Sequence, residues 1–108
     1  MKGTYLGEFE EVVLLAVAIQ AGDAYGATVV GEIEQQMGRL VNLGAVHSAL
    51  HRLQEKGLVT AEIGGVTAER GGRRKRLYVL TGAGRRALEE MRQLRNQMWN
   101  AIPQTTWS

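Results

Sequence analysis

The segment of residues 42–58, NLGAVHSALHRLQEKGL, constrains the fold more than any other part of the chain. Asn42 can accept hydrogen bonds from the exposed amides of a first helical turn, and Gly57 is a common helix stop, so the segment predicts one short capped helix. Two strand-like runs follow at residues 58–63 and 77–80, with glycines and arginines between them. The spacing therefore predicts a helix that leads directly into a two-stranded hairpin with a cationic tip.

Three further helices are predicted. Residues 8–21 are apolar on nearly every side after a first turn rich in glutamate, and residues 25–37 carry one apolar stripe. Thr81 can cap a last helix over residues 82–102, and Pro103 ends it. The predicted fold class is mainly α, an α+β winged helix with a three-helix helix-turn-helix core, a two-stranded β wing and a C-terminal dimerisation helix. The corresponding divisions are 1–81 for the winged helix-turn-helix domain, 82–102 for the last helix and 103–108 for a loose tail.

Charge is distributed unevenly along the chain. Residues 1–38 carry one basic and six acidic residues, a net charge of −5, whereas residues 39–86 carry ten basic and three acidic residues, a net charge of +7. A basic middle in a chain with a pI of about 9.3 is typical of nucleic-acid binders, although a solvated basic face without a partner has the same pattern. The absence of cysteine excludes disulfides and Cys-ligated zinc, and the longest apolar run is too short for a membrane span. We therefore expect a cytoplasmic protein that does not bind membranes.

The third predicted helix has an apolar and a polar face. Leu43, Val46, Leu50 and Leu53 recur at helical spacing and are predicted to face the core. The opposite face begins with small residues and continues with side chains that can hydrogen-bond to bases or phosphates. A plain solvated face has the same composition, but the basic hairpin beside it favours DNA. From the helix cap, this face and the hairpin tip, the predicted DNA-binding residues are Asn42, Ser48, His51, Arg52, Arg73, Arg74 and Lys75.

Two other motifs have weaker interpretations. Residues 82–87 match a G-x-G-x-x-A dinucleotide pattern, but no βαβ unit surrounds it and no acidic residue follows at the required distance. His47, His51 and Glu55 are spaced one turn apart and would form an incomplete zinc site, so polar residues on a DNA-facing helix are favoured. No nucleophile–base–acid set is recognisable. We expect no enzyme activity, no metal site and no cofactor.

The sequence resembles the PadR family of bacterial transcriptional regulators over nearly its whole length. The matching pieces are LGEFEEVVLLAV at residues 6–17, DAYG at 23–26, GAVHSALHRLQEKGLV at 44–59 and GGRRKRLYVLTGAGRRAL at 71–88. The resemblance implies a winged helix-turn-helix homodimer that binds double-stranded operator DNA, commonly as a repressor. We also expect Tyr25, on the second helix, to contact a phosphate. The resemblance further implies dimer contacts between residues 82–102 of one protomer and residues 8–21 of its partner. His47 is a departure, since the family usually has a tyrosine there.

The last helix carries the predicted dimer contacts and a candidate ligand-binding residue. Leu88, Met91, Met98 and Ile102 form a stripe at coiled-coil-like spacing, for which a three-helix core has no partner left. In some short members of the resembled family, flat hydrophobic compounds bind between tryptophans at the dimer axis. That implies Trp99 as the ligand-binding residue and a small apolar or aromatic effector. The rival hypothesis is a winged-helix protein-interaction module, which need not bind duplex DNA in a salt-dependent way.

Overall fold

The computed structural model describes residues 6–64 and 75–108. Its elements follow the predicted order of three helices, a hairpin and a last helix. They are α1 (Glu8–Gln20), α2 (Gly26–Met37), α3 (Leu43–Glu55), β1 (Val59–Ile63), β2 (Arg76–Leu80) and α4 (Gly82–Ala101), with a 3-10 turn at Gln104–Trp107. The predicted fold class, a mainly α winged helix, is confirmed.

Side-chain caps begin α3 and α4 as the sequence predicts. The Asn42 side chain accepts a hydrogen bond from the Ala45 amide at 3.0 Å. The Thr81 hydroxyl accepts from the Gly84 amide at 3.0 Å and donates to the Gly57 carbonyl at 2.8 Å. Each cap satisfies an amide that the first turn of a helix leaves unpaired. Thr81 also ties the start of α4 to the end of α3.

The two strands form an antiparallel hairpin that is anchored to the helices. Val59 pairs with Leu80 and Ala61 pairs with Tyr78, so alternate side chains of both strands point to the same face. The Tyr78 amide donates to the Ala24 carbonyl at 2.8 Å, which joins β2 to the loop before α2. This isolated bridge between Ala24 and Tyr78 holds the hairpin against the helical core.

The core lies between α1, α2 and α3, and the first half of α4 closes it. The buried apolar side chains from these elements include Val13, Leu14, Val17, Val29, Ile33, Val46, Leu50, Leu53 and Ala87. Burial of a Val, Leu or Ile side chain contributes roughly 1.5–3 kcal/mol, so this cluster is the main source of stability in the monomer. The second half of α4 extends away from it, and Leu94 and Met98 are exposed there.

Two expectations about packing differ from the structure. Leu43, which was expected to face the core, is 46% exposed because it lies in the first turn of α3, and the buried face begins one turn later at Val46. Residues 103–108 were expected to be loose, but they include a 3-10 turn at Gln104–Trp107. Trp107 of this turn stacks on Trp99 of α4, with ring centroids 6.4 Å apart. The stacked indoles attach the turn to α4, a contact that the periodicity of the sequence does not predict.

No helix in the ranges that the structure describes is long and apolar enough to cross a membrane.

Candidate nucleic-acid interface

The exposed face of α3 presents the polar side chains that were predicted to contact DNA. Ser48 and His51 are exposed. The His51 Nε2 lies 3.3 Å from the Glu55 carboxylate one turn later, and both side chains are mostly exposed. Because surface pairs of this kind contribute little, His51 can exchange Glu55 for a phosphate or base at small cost. Asn42 uses its side-chain oxygen for the helix cap, which leaves its amide nitrogen as the group that can donate to DNA.

Arg52, also predicted to contact DNA, has a partner within the chain. Its Nε donates to Glu10 Oε2 at 2.7 Å, and its side chain is 49% exposed. The Lys56 Nζ donates to the other oxygen, Glu10 Oε1, at 2.6 Å. The same oxygen accepts from the Gly7 amide at 3.1 Å, so Glu10 also caps the start of α1. One carboxylate of α1 thus binds two cations at the end of α3, one in its last turn and one at its C-cap.

The Glu10 carboxylate is nearly fully buried, with 7% of the residue exposed. Burial opposes its ionisation, but hydrogen bonds from Lys56, Arg52 and the Gly7 amide outweigh burial and lower the pKa of the Glu10 carboxyl from 4.5 to about 2. Glu10 is therefore ionised at neutral pH, and its charge is compensated inside the protein.

A groove of about 610 Å³ lies beside α3 where α2 begins and β2 enters the sheet. The Lys75 Nζ lies 3.2 Å from the Tyr25 hydroxyl and 4.4 Å from the centre of the Tyr25 ring, a cation–π arrangement. The His47 imidazole lies against Gly26, at a place that a side chain on residue 26 would occupy. The groove therefore holds a tyrosine hydroxyl, a lysine ammonium and an imidazole, which are all able to donate to a phosphate.

The structure thus places six of the eight predicted DNA-binding residues on α3, at its N-cap or in the groove beside it: Tyr25, Asn42, Ser48, His51, Arg52 and Lys75. Arg73 and Arg74 lie outside the described residues. Sequence reasoning missed Glu10 and Lys56, because Glu10 lies 42 and 46 positions from its two partners and no local pattern connects them. Gly26 could have indicated the position of His47, because a glycine, which lacks a side chain, leaves room for the imidazole beside α2.

His47, His51 and Glu55 do not converge. His51 pairs with Glu55, whereas His47 faces α2. Within residues 6–64 and 75–108, no group of three or more His, Asp or Glu side chains is arranged to hold a metal ion.

A second group of exposed side chains, on α1, α2 and α4, is apolar. Leu15, Ile19 and Met37 are exposed on α1 and α2, and Met98 and Trp99 are each 65% exposed on α4. Leu88 and Met91, which were predicted to contact a partner, also pack against the core of their own chain. The Arg95 guanidinium joins α4 to α1 through Glu11 Oε1 at 2.6 Å. Between these helices lies a groove of about 490 Å³ with Leu15, Leu88 and Trp99 among its lining residues.

Comparison with known proteins agrees with this geometry. The model of the Transcriptional regulator PadR-like family matches residues 14–90. RosR from H. salinarum has a TM-score of 0.71 and 26% identity, over 91% of this chain and 81% of that chain. A PadR-like transcriptional regulator from Bacillus cereus has a TM-score of 0.69 and 21% identity, over 85% and 84%. F93 from STIV, a winged-helix DNA-binding protein, has a TM-score of 0.69 and 15% identity, over 88% and 95%. No curated protein matches the sequence.

Proposed function

Because the chain belongs to the PadR-like family of transcriptional regulators, we propose that it binds operator DNA as a homodimer and represses transcription. The observation that carries the proposal is the position of the groove beside α3. Tyr25 and Lys75 are in contact there, next to the exposed Ser48 and His51 face. In the proposed complex α3 enters the major groove, while Tyr25 and Lys75 bind a backbone phosphate.

Selection of duplexes from a random pool tests sequence specificity. We expect a pseudo-palindrome whose half-sites lie about one helical turn apart, because a two-fold dimer presents two copies of α3. Affinity should fall steeply with salt, since each neutralised phosphate releases a counterion. A pool without enriched sequences contradicts the proposed specificity. Reporter expression that does not rise on deletion of the gene contradicts repression.

Lys75→Met tests the groove. It should weaken binding to every duplex and reduce the slope of log affinity against log salt by about one per protomer. Arg85→Met is the control, because it removes the same charge from a residue that pairs with Glu89 on the exposed side of α4. Equal effects of the two substitutions on duplex affinity would mean that binding depends on the net charge of the protein and not on the position of Lys75. A docking module, the rival function, would show no salt-dependent duplex binding.

The dimer is proposed from the exposed apolar surfaces. The second half of α4 exposes the apolar side chains of Met98 and Trp99, which would be buried on dimerisation. In the proposed dimer they pack against the exposed apolar Leu15 and Ile19 on α1 of a second copy. Met98→Asp should give monomers and abolish operator binding, because a carboxylate cannot be buried there without a partner. Light scattering at micromolar concentration measures the mass, and a wild-type monomer would contradict the proposal.

Regulation by a small aromatic ligand is proposed at Trp99. Both stacked indoles, Trp99 and Trp107, stay more than half exposed, and Trp99 lines the groove between α1 and α4. A flat ligand gains stacking energy on indole. Planar dyes should quench tryptophan emission in a Trp107→Phe variant, in which Trp99 is the remaining indole. Their affinity, measured by the fluorescence of the dye itself, should fall when Trp99→Ala is added. A dye that binds without changing operator affinity is no effector, because an effector must distinguish the DNA-competent state.

A further inference from the structure

A partly buried polar contact joins the start of α1 to the end of α3. Arg52 lies in the last turn of α3 and Lys56 is its C-cap, four residues later. Arg52 binds Glu10 Oε2 at 2.7 Å, and Lys56 binds Glu10 Oε1 at 2.6 Å. The buried Val46, Leu50 and Leu53 set the overall rotation of α3, and the two polar contacts, one helical turn apart, further restrict small rotations about its axis. The Glu10 side chain is held in turn by the Gly7 amide and by burial at the start of α1.

The Arg52 guanidinium is bonded within the protein through its Nε, and part of the side chain is exposed to solvent. Its Nε donates to Glu10, and about half of its side chain, 49%, remains exposed next to Ser48 and His51. An arginine whose Nε is fixed presents its remaining guanidinium donors in one direction, because the group is planar and rigid. A guanidinium held in this way binds a phosphate or a base edge with less loss of conformational freedom.

We propose that Glu10 is a positioning residue of the DNA interface, which acts through Arg52 and Lys56 to fix the direction of the Arg52 guanidinium and to restrict small rotations of α3. The inference rests on the proposed DNA-binding function. Glu10 does not touch DNA in this arrangement. It raises the preference for the operator over other sequences, because preference depends on the alignment of α3 with the base edges.

The test measures the ratio of affinities for the selected operator and for a random duplex, with the whole 108-residue chain. Glu10→Gln keeps the size of the side chain and removes its charge. Glu8→Gln is the matched control, because Glu8 is an exposed residue in the same turn of α1 and the change in net charge is identical. Arg52→Lys keeps the charge at a half-exposed position and removes the guanidinium, so it remains informative if the Glu10 variant does not fold.

We expect Glu10→Gln to lower the operator preference by about tenfold, the size of one displaced arginine contact, and to leave random-duplex affinity equal or higher. Arg52→Lys should lower the preference by a similar factor, and Glu8→Gln should change it by less than about twofold. The double variant Glu10→Gln, Arg52→Lys should lose no more than either single variant, because both changes break one unit.

A purely structural role would reduce the folded fraction and weaken both duplexes equally, so the ratio would stay at the wild-type value. An unchanged ratio in Glu10→Gln, or in Arg52→Lys where the former does not fold, overturns the inference. The inference is also overturned if the double variant lowers the operator preference by the product of the two single-variant factors. A wild-type protein without operator preference overturns the proposed function and this inference with it, whereas a wild-type preference that survives in Glu10→Gln overturns the inference alone.

Discussion

Removal of the Glu10 carboxylate should change both the stability of the protein and the way stability depends on pH. In the folded protein the pKa of Glu10 is about 2, against an ordinary value of 4.5. The folded state therefore holds this proton less tightly than the unfolded chain does. The stabilisation is complete above pH 4.5 and is lost as the pH falls toward 2.

The magnitude follows from the two pKa values. The difference between 4.5 and about 2 corresponds to about 3 kcal/mol of stability at pH 7. About 2 kcal/mol of this is lost between pH 7 and pH 3, where the unfolded carboxylate is protonated and the folded one is still mostly ionised. Although only 9% of the Glu10 side chain is exposed, the Arg52 side chain is 49% exposed, so solvent screens part of this attraction and about 3 kcal/mol is the upper value.

Urea unfolding of the wild type and of Glu10→Gln at pH 7 and pH 3 measures this effect. Both proteins must be at the same concentration, because dimer stability depends on it. At pH 7 the variant should be less stable by up to about 3 kcal/mol, and at pH 3 the difference should shrink by up to about 2 kcal/mol. All other carboxylates titrate in both proteins, so the difference isolates Glu10.

Glu8→Gln is again the control, and it should keep the pH dependence of the wild type because the contacts of Glu10 are intact. The reasoning would be refuted by a stability difference between wild type and Glu10→Gln that is the same at pH 7 and at pH 3. That result would mean that Arg52 and Lys56 do not hold the carboxylate in its ionised form.

Three further predictions concern other contacts. Gly84→Ala should lower stability by about 1–3 kcal/mol in thermal unfolding, because an added Cβ would overlap the Leu58 carbonyl; an unchanged melting temperature would contradict this packing. Gly31→Ala, at an open and exposed position inside α2, should instead raise stability by roughly 0.5–1 kcal/mol, and a loss would mean that the position is not open. Trp107→Phe should remove the coupled indole signal from the circular dichroism spectrum, since Trp99 loses its stacked partner; identical spectra would rule out the stack.

Local chemistry in the sequence was sufficient to predict the order of the elements. Asn42 and Thr81 cap α3 and α4 because a cap requires only a side-chain oxygen a few residues before the amide that it accepts from. Helical and strand periodicity indicated the apolar faces for the same reason, since neighbours on a helix or strand are set by spacing alone. The mainly α winged helix and the family followed from these local patterns.

Only the tertiary structure decided which distant side chains meet. Glu10 and Arg52 are 42 positions apart, and their contact depends on how α1 crosses α3. The stack of Trp107 on Trp99 depends in the same way on the turn after Pro103. The place of His47 beside Gly26 depends on the separation of α2 and α3, which the volumes of the buried side chains determine. Spacing along the chain sets contacts within one element, whereas contacts between elements require the packing of the whole core.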